Sequence, residues 1–200
     1  MPFIGLTGNF GMGKSTVLKM FKNTGAYTIN ADRLVSGLLK KPALINKLVK
    51  ILGREILTKK AGKTSLNKKR IAGIIFNNPP KRILIEKTIH PEVIKTAKGI
   101  KNKITAAKPL STVIFEIPLL FESHCEDIFD GIIVVYSSKK TTVRRLLKKG
   151  FSIDEITKRS RAQIPISRKK TSADFLINNN STLNDLRLRV HAVSKKLKIK

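Results

Sequence analysis

The sequence predicts an α/β fold of three layers, with a parallel sheet held between helices. Three observations predict it. First, residues 2–7 form a short apolar run that reads as a strand, residues 8–15 are glycine-rich, and residues 15–22 carry apolar side chains at 17, 18, 20 and 21, the spacing of an amphipathic helix. Second, strand-like and helical stretches alternate over much of the chain, as crossover connections in a parallel sheet require. Third, residues 112–117 and 130–136 are β-branched and apolar without alternation, the pattern of strands buried on both faces.

The first turn of this fold carries chemistry. Gly8, Gly13, Lys14 and Ser15 fit G-x-x-x-x-G-K-[ST], the phosphate-binding loop, and they stand between a strand and a helix, the setting the motif needs. A polyphosphate must lie against backbone N–H groups, and glycine admits the close approach and the positive φ angles involved. The following helix adds its N-terminal dipole. The loop residues Gly11, Met12, Gly13, Lys14, Ser15 and Thr16 are thus expected to hold ATP, with Lys14 on the β- and γ-phosphates and the Ser15 hydroxyl on Mg²⁺. The fold expected is that of a P-loop NTPase.

Residues 26–29 read as the second strand, started after Gly25. Asp32 then falls at its C-terminal end, the edge where open α/β sheets bind ligands. Two roles suit it. A carboxylate there can accept a proton from an attacking hydroxyl or steer Mg²⁺; it can also cap a helix over residues 33–39.

From residue 40 to about 108 the periodicity is helical, as in Leu44, Ile45, Leu48, Val49 and Leu52, and strand signals are weak. Asn77, Asn78, Pro79 and Pro80 mark a break between helices. A helical insertion is expected here, the part that carries the phosphate acceptor in small kinases. Pro91 predicts a helix start or kink within residues 83–104. Read by itself, His90 is a helix-surface or capping residue, since its polar tip finds many partners.

Glu116 ends the strand at 112–117 and supplies a second acidic group over the nucleotide site; pairing with a nearby lysine is the other reading. His124 and Cys125 are neighbours with no third group to orient them, and both read as structural. Residues 139–170 hold twelve basic and two acidic residues on two helices around Gly150. Such a run is either a solvated face or a lid that brings cations onto a moving phosphoryl group. Residues 173–180 form a last strand and turn, and residues 183–197 a closing helix. The core is expected at about 1–39 and 109–200, the insertion at about 40–108 and the lid at about 139–170, all in one P-loop kinase domain.

Composition limits the class. Hydrophobic residues make up 41% of the 200 residues, enough for a core. The single cysteine excludes a disulfide framework, and no apolar run reaches the roughly 18 residues of a membrane span. No basic and apolar leader is recognisable at the start, so a cytoplasmic enzyme is expected. The 41 Lys and Arg against 13 Asp and Glu give a net charge of +28. That attracts polyanions. The lysines are spread along the chain and aromatics are 6%, so no base-stacking pattern stands out and no specific nucleic-acid partner is expected, only nonspecific polyanion binding.

With these landmarks in place, the chain resembles the dephospho-CoA kinases nearly end to end. The resemblance is carried by Ile4 to Gly8 leading into Gly11 to Thr16, by Asn30, Ala31 and Asp32, by His90 and Pro91, by Glu116 to Glu122, by Arg159 to Gln163, and by Ala173, Asp174 and Ile177 to Asn179. It implies transfer of the γ-phosphoryl of ATP to the ribose 3′-hydroxyl of dephospho-CoA, the last step of coenzyme A synthesis. It implies Asp32 as base, His90 and Glu122 as acceptor-binding residues, Arg145 and Lys149 as lid cations, Asn179 at the adenine, and Mg²⁺ at Ser15 and Glu116. Three positions depart from the family pattern. Asn30 stands where the family usually has aspartate, Glu116 where aspartate is frequent, and Lys148, Lys149 and Gly150 where an Arg-Asp pair is common. A lysine there supplies a point charge in place of a bidentate fork. Two rival readings predict other substrates: a kinase of nucleoside monophosphates or another small molecule, and an NTPase stimulated by RNA.

Overall fold

The computed structural model describes residues 1–60 and 63–199, excluding the side chains of Lys60, Lys63 and Phe76. The chain divides into two compact units. One comprises Met1–Ala31 and the chain from Lys101 onward; the other is Asp32–Ile100.

The first unit is built on a five-stranded parallel sheet. Its strands are β1 (Phe3–Thr7), β2 (Tyr27–Asn30), β5 (Val113–Glu116), β6 (Gly131–Tyr136) and β7 (Phe175–Asn178), in the order β2-β5-β1-β6-β7. In register, Leu6 lies opposite Glu116 on one side and Ile133 on the other, and Asn30 lies opposite Glu116. β1 is therefore central. The chain leaves it toward β2 on one side and later crosses to β6 on the other, so the loop after β1 stands where the direction of winding reverses.

Alternation along the strands fills both faces. Ile4, Leu6, Ile114, Ile133 and Val135 point into a core closed by Val17, Leu18 and Phe21 of helix α1 (Lys14–Asn23) and by Leu186, Val190 and Val193 of helix α9 (Leu183–Lys196). Each such side chain contributes about 1.5–3 kcal/mol on burial. On the other face Phe3, Phe115 and Phe129 cluster with ring centroids 5.0–6.2 Å apart. Lys101, in the last turns of helix α5 (Pro79–Ala107), lies 5.3 Å from the Phe3 ring centroid. Helices thus cover both faces, as the predicted three layers require. Thr182 opens α9 with a reciprocal capping box to Asp185.

The basic segment forms α6 (Lys139–Leu147), α7 (Ile153–Arg161) and α8 (Ile166–Thr171). The first two are the helices expected on either side of Gly150. Ser138 caps α6 by accepting from Thr141 N, and Ser152 caps α7 with a capping box to Glu155.

The second unit contains α2 (Ala31–Leu38) from its second residue, α3 (Pro42–Leu52), α4 (Lys68–Asn77) and most of α5. Four expectations change here. Asp32 lies inside the first turn of α2, not at the end of a strand and not in front of a helix at 33. The unit begins at Asp32, where the sequence suggests 40. The insertion also holds an antiparallel hairpin, β3 (Leu57–Lys60) with β4 (Lys63–Leu66). Its strands, LTKK and KTSL, offer little apolar alternation, which is why the pattern reads weakly. Helix α5 continues through Pro91 and starts at Pro79, so the expected start at 91 is not found. Two prolines opening the helix suit its first turn, where the missing N–H groups have no intrahelical partner in any case. Lys47 of α3 and Glu92 of α5 pair at 2.9 Å, and the ammonium holds the Glu92 carboxyl below the usual carboxylate range. Among the described residues, no helix is long and apolar enough to cross a membrane.

Candidate active site

The loop from Gly8 to Gly13 turns the chain from β1 into α1. Gly8 has φ 145°, and a Cβ there would collide with the Val135 carbonyl oxygen of β6. Gly13 has φ 91°, and a Cβ would collide with the Asn179 amide. Both positions therefore demand glycine, for conformation and for space. Lys14 opens α1 and is only 9% exposed. Its Nζ donates to the carbonyls of Gly8 at 2.8 Å and Asn9 at 3.1 Å. The ammonium is thus held inside the loop, which offsets the cost of burying a charge. Ser15 and Thr16 follow in the first helical turn, both exposed.

Glu116 stands beside this helix start, at the end of β5 and 2% exposed. Its Oε1 accepts from Ser15 Oγ at 3.1 Å and its Oε2 from Asn30 Nδ2 at 2.7 Å. The sequence brings Ser15 and Glu116 together as metal candidates, and the structure makes them neighbours. Asn30 is the addition. Its neutral amide can donate to Glu116, whereas two carboxylates at that distance could not both stay ionised. Hard oxygen donors in this arrangement fit Mg²⁺, which takes few protein ligands and keeps phosphate and water for the rest.

Asn179 is 6% exposed, and its Nδ2 donates to the Met12 carbonyl at 2.8 Å. The side chain expected at the adenine is, in this structure, a fastening of the phosphate loop. Arg145 of α6 donates from Nη1 to the Asn179 carbonyl at 2.7 Å, tying α6 to the turn after β7. Lys149 is exposed just beyond the end of α6. Glu122, expected at the acceptor, accepts from Ile164 N at 2.9 Å and forms an ion pair with Lys169 Nζ at 2.8 Å. His90 is half-buried within α5, and Asp32 is exposed in the first turn of α2. Burial, and after it the Glu126 carboxylate, push the Cys125 thiol up in pKa, the direction opposite to that of an activated thiol.

Gln163 and Arg159 lie in a stretch that carries the resemblance, but their contacts with the loop escape a reading of the sequence. Gln163 accepts from the Phe10 N–H at 2.7 Å, and the Arg159 guanidinium lies 4.8 Å from the Phe10 ring centroid and 5.1 Å from that of Phe151. Nothing in a run of twelve cations distinguishes Arg159 from a solvated face. Phe10 in the loop and Phe151 after Gly150 are the only local signals.

Comparison with known proteins bears on this arrangement directly. The family model described as "Dephospho-CoA kinase" matches residues 2–185. The chain belongs to the dephospho-CoA kinase family. A dephospho-CoA kinase of Bacillus anthracis is 33% identical over 199 residues, covering 98% of this chain and 97% of that one. Among solved structures, a Thermus thermophilus protein superposes with a TM-score of 0.82 at 29% identity, covering 98% and 97% of the two chains. The dephospho-CoA kinase of Campylobacter jejuni gives 0.71 at 26% identity, covering 98% and 96%. The chain is therefore a kinase, and ATP is its co-substrate. The dephospho-CoA kinase fold accounts for the placement of Lys14, Ser15 and Glu116 at the C-terminal edge of a parallel sheet.

Proposed function

We propose that this kinase transfers the γ-phosphoryl of ATP to the ribose 3′-hydroxyl of dephospho-CoA, giving coenzyme A and ADP. The observation that carries the reading is the preformed phosphate loop, with the Lys14 ammonium seated on its carbonyls and Ser15 bonded to Glu116, in a chain that matches this family nearly end to end.

The loop amides and Lys14 bind the β- and γ-phosphates. Ser15 Oγ and Glu116 are the residues that would hold Mg²⁺, which supplies charge neutralisation on the phosphates when bound. Asn30 orients Glu116 through its 2.7 Å bond. Asp32 accepts the proton of the 3′-hydroxyl as that oxygen bonds to phosphorus and the bond to the ADP oxygen breaks. Its place two residues beyond β2 supports this role. His90 and the second unit serve the acceptor, and Arg145 and Lys149 belong to the lid. Catalysis of this kind is positioning and electrostatics.

The test is ADP release with ATP and Mg²⁺, offering dephospho-CoA, AMP and RNA separately and identifying the product by mass. Turnover with dephospho-CoA and formation of coenzyme A is expected. Turnover with AMP alone, or ATP hydrolysis stimulated by RNA, overturns the assignment. Within the same site, Glu116→Gln is expected to raise the Mg²⁺ concentration for half-maximal rate by about tenfold or more, the scale for groups that orient or neutralise a metal. The same shift is expected in a Mg²⁺ titration of ATP binding without acceptor. An unchanged Mg²⁺ requirement removes Glu116 from the metal site.

A further inference from the structure

The tip of the phosphate loop is not held by the loop alone. The Phe10 N–H donates to Gln163 Oε1 at 2.7 Å, so this amide is not among those free to meet a phosphate. Asn9 Nδ2 donates to the Ile164 carbonyl at 3.1 Å. Both bonds reach across more than 150 residues of sequence to the short link between α7 and α8. That link is itself fixed from behind. Ile164 N donates to Glu122 Oε1, and the same oxygen pairs with Lys169, whose side chain is 0% exposed. A fully buried ammonium needs its counter-charge, so Glu122 links Lys169 to the backbone of Ile164. Arg159, lying on both Phe10 and Phe151, joins α7 to the same tip.

We propose that Gln163 is a positioning residue for ATP. It fixes the phosphate-loop tip through Phe10 N–H, on a root set by the Glu122–Lys169 pair. The physical reason is preorganisation. A loop whose amides already point correctly loses less freedom when the phosphates arrive. Without Gln163 the Phe10 N–H needs another partner, and the loop can turn away from its binding shape to find one. This inference rests on the loop being the ATP site. It assigns Glu122 a task different from contact with the acceptor.

The experiment compares Gln163→Leu, Gln163→Glu and Asn9→Ala with the wild-type chain. ATP affinity is read by calorimetry without acceptor, and kcat and KM by ADP release. Gln163→Leu is expected to weaken ATP binding about tenfold, the scale for a polar group left unsatisfied. KM for ATP should rise with it, while KM for dephospho-CoA and the melting temperature stay close to wild type. Gln163→Glu, which keeps the acceptor oxygen, is expected to restore ATP affinity. Asn9→Ala gives an independent reading should Gln163→Leu fail to fold, and is expected to weaken ATP binding in the same sense. ATP affinity of wild-type strength in Gln163→Leu, or in Asn9→Ala when the former does not fold, overturns the proposal, as does failure of Gln163→Glu to restore it. Because ATP binding is measured without acceptor, a wild-type chain that binds ATP yet does not phosphorylate dephospho-CoA would sink the assigned reaction and leave this inference standing.

Discussion

Lys14→Met is expected to lower kcat by about 10³-fold or more at saturating ATP, roughly 4 kcal/mol of transition-state stabilisation. Methionine keeps most of the apolar stem and removes the charge. In the wild-type chain Lys14 is 9% exposed and its ammonium is already bonded to the Gly8 and Asn9 carbonyls. It is therefore held inside the loop before any phosphate arrives. The substitution also leaves two loop carbonyls short of a donor, at about 1–3 kcal/mol for each group that finds no replacement. A lower melting temperature should accompany the loss of rate. The two effects separate in the measurement: kcat at saturation is read well below the melting transition, where the protein is folded. A kcat within tenfold of wild type would remove Lys14 from the transition state.

Asp32→Asn carries the second large effect, a fall of about 10²–10⁴ in kcat with ATP affinity nearly unchanged, the span of a lost general base. The structural cost of this change is small. Asp32 is exposed in the first turn of α2, where a carboxylate interacts with the helix dipole for about 0.3–1 kcal/mol. This makes the variant informative. If Asp32 serves only the helix end, the melting temperature falls slightly and kcat is near normal. If it takes the proton of the 3′-hydroxyl, kcat collapses while the fold and ATP binding persist. A near-normal kcat ends the assignment of Asp32 as base.

The two variants bear on different parts of the chain. Lys14 belongs to the unit that contains the sheet, and Asp32 opens the unit Asp32–Ile100. Loss of rate in Lys14→Met tests the loop, whereas loss in Asp32→Asn tests whether the start of α2 takes part in the chemistry.

Much of this architecture is legible in the sequence, for reasons particular to each element. β1, β5 and β6 are buried on both faces and so are written as unbroken apolar runs. The phosphate loop is legible because its geometry admits few residues: Gly8 and Gly13 have positive φ and no room for a Cβ. The hairpin of β3 and β4 is not, because four-residue strands rich in lysine and threonine carry no clear period. A helix over residues 83–104 is legible from its period, but Pro91 leaves open where it starts, and only the assembled helix shows that it begins at Pro79.

The site divides along the same line. By itself the sequence determined the strand, loop and helix order, the glycine-rich motif from Gly8 to Ser15, and the resemblance that names the family. All of these rest on local constraints of backbone shape or on residues in fixed order. Only the tertiary structure decided that Asn30 donates to Glu116, that Asn179 fastens Met12, and that Glu122 is spent on Lys169 and Ile164. Those partners are separated by 42 to 167 residues. A buried polar group must find its partner wherever folding brings one close, and nothing in the neighbouring residues records which one that will be.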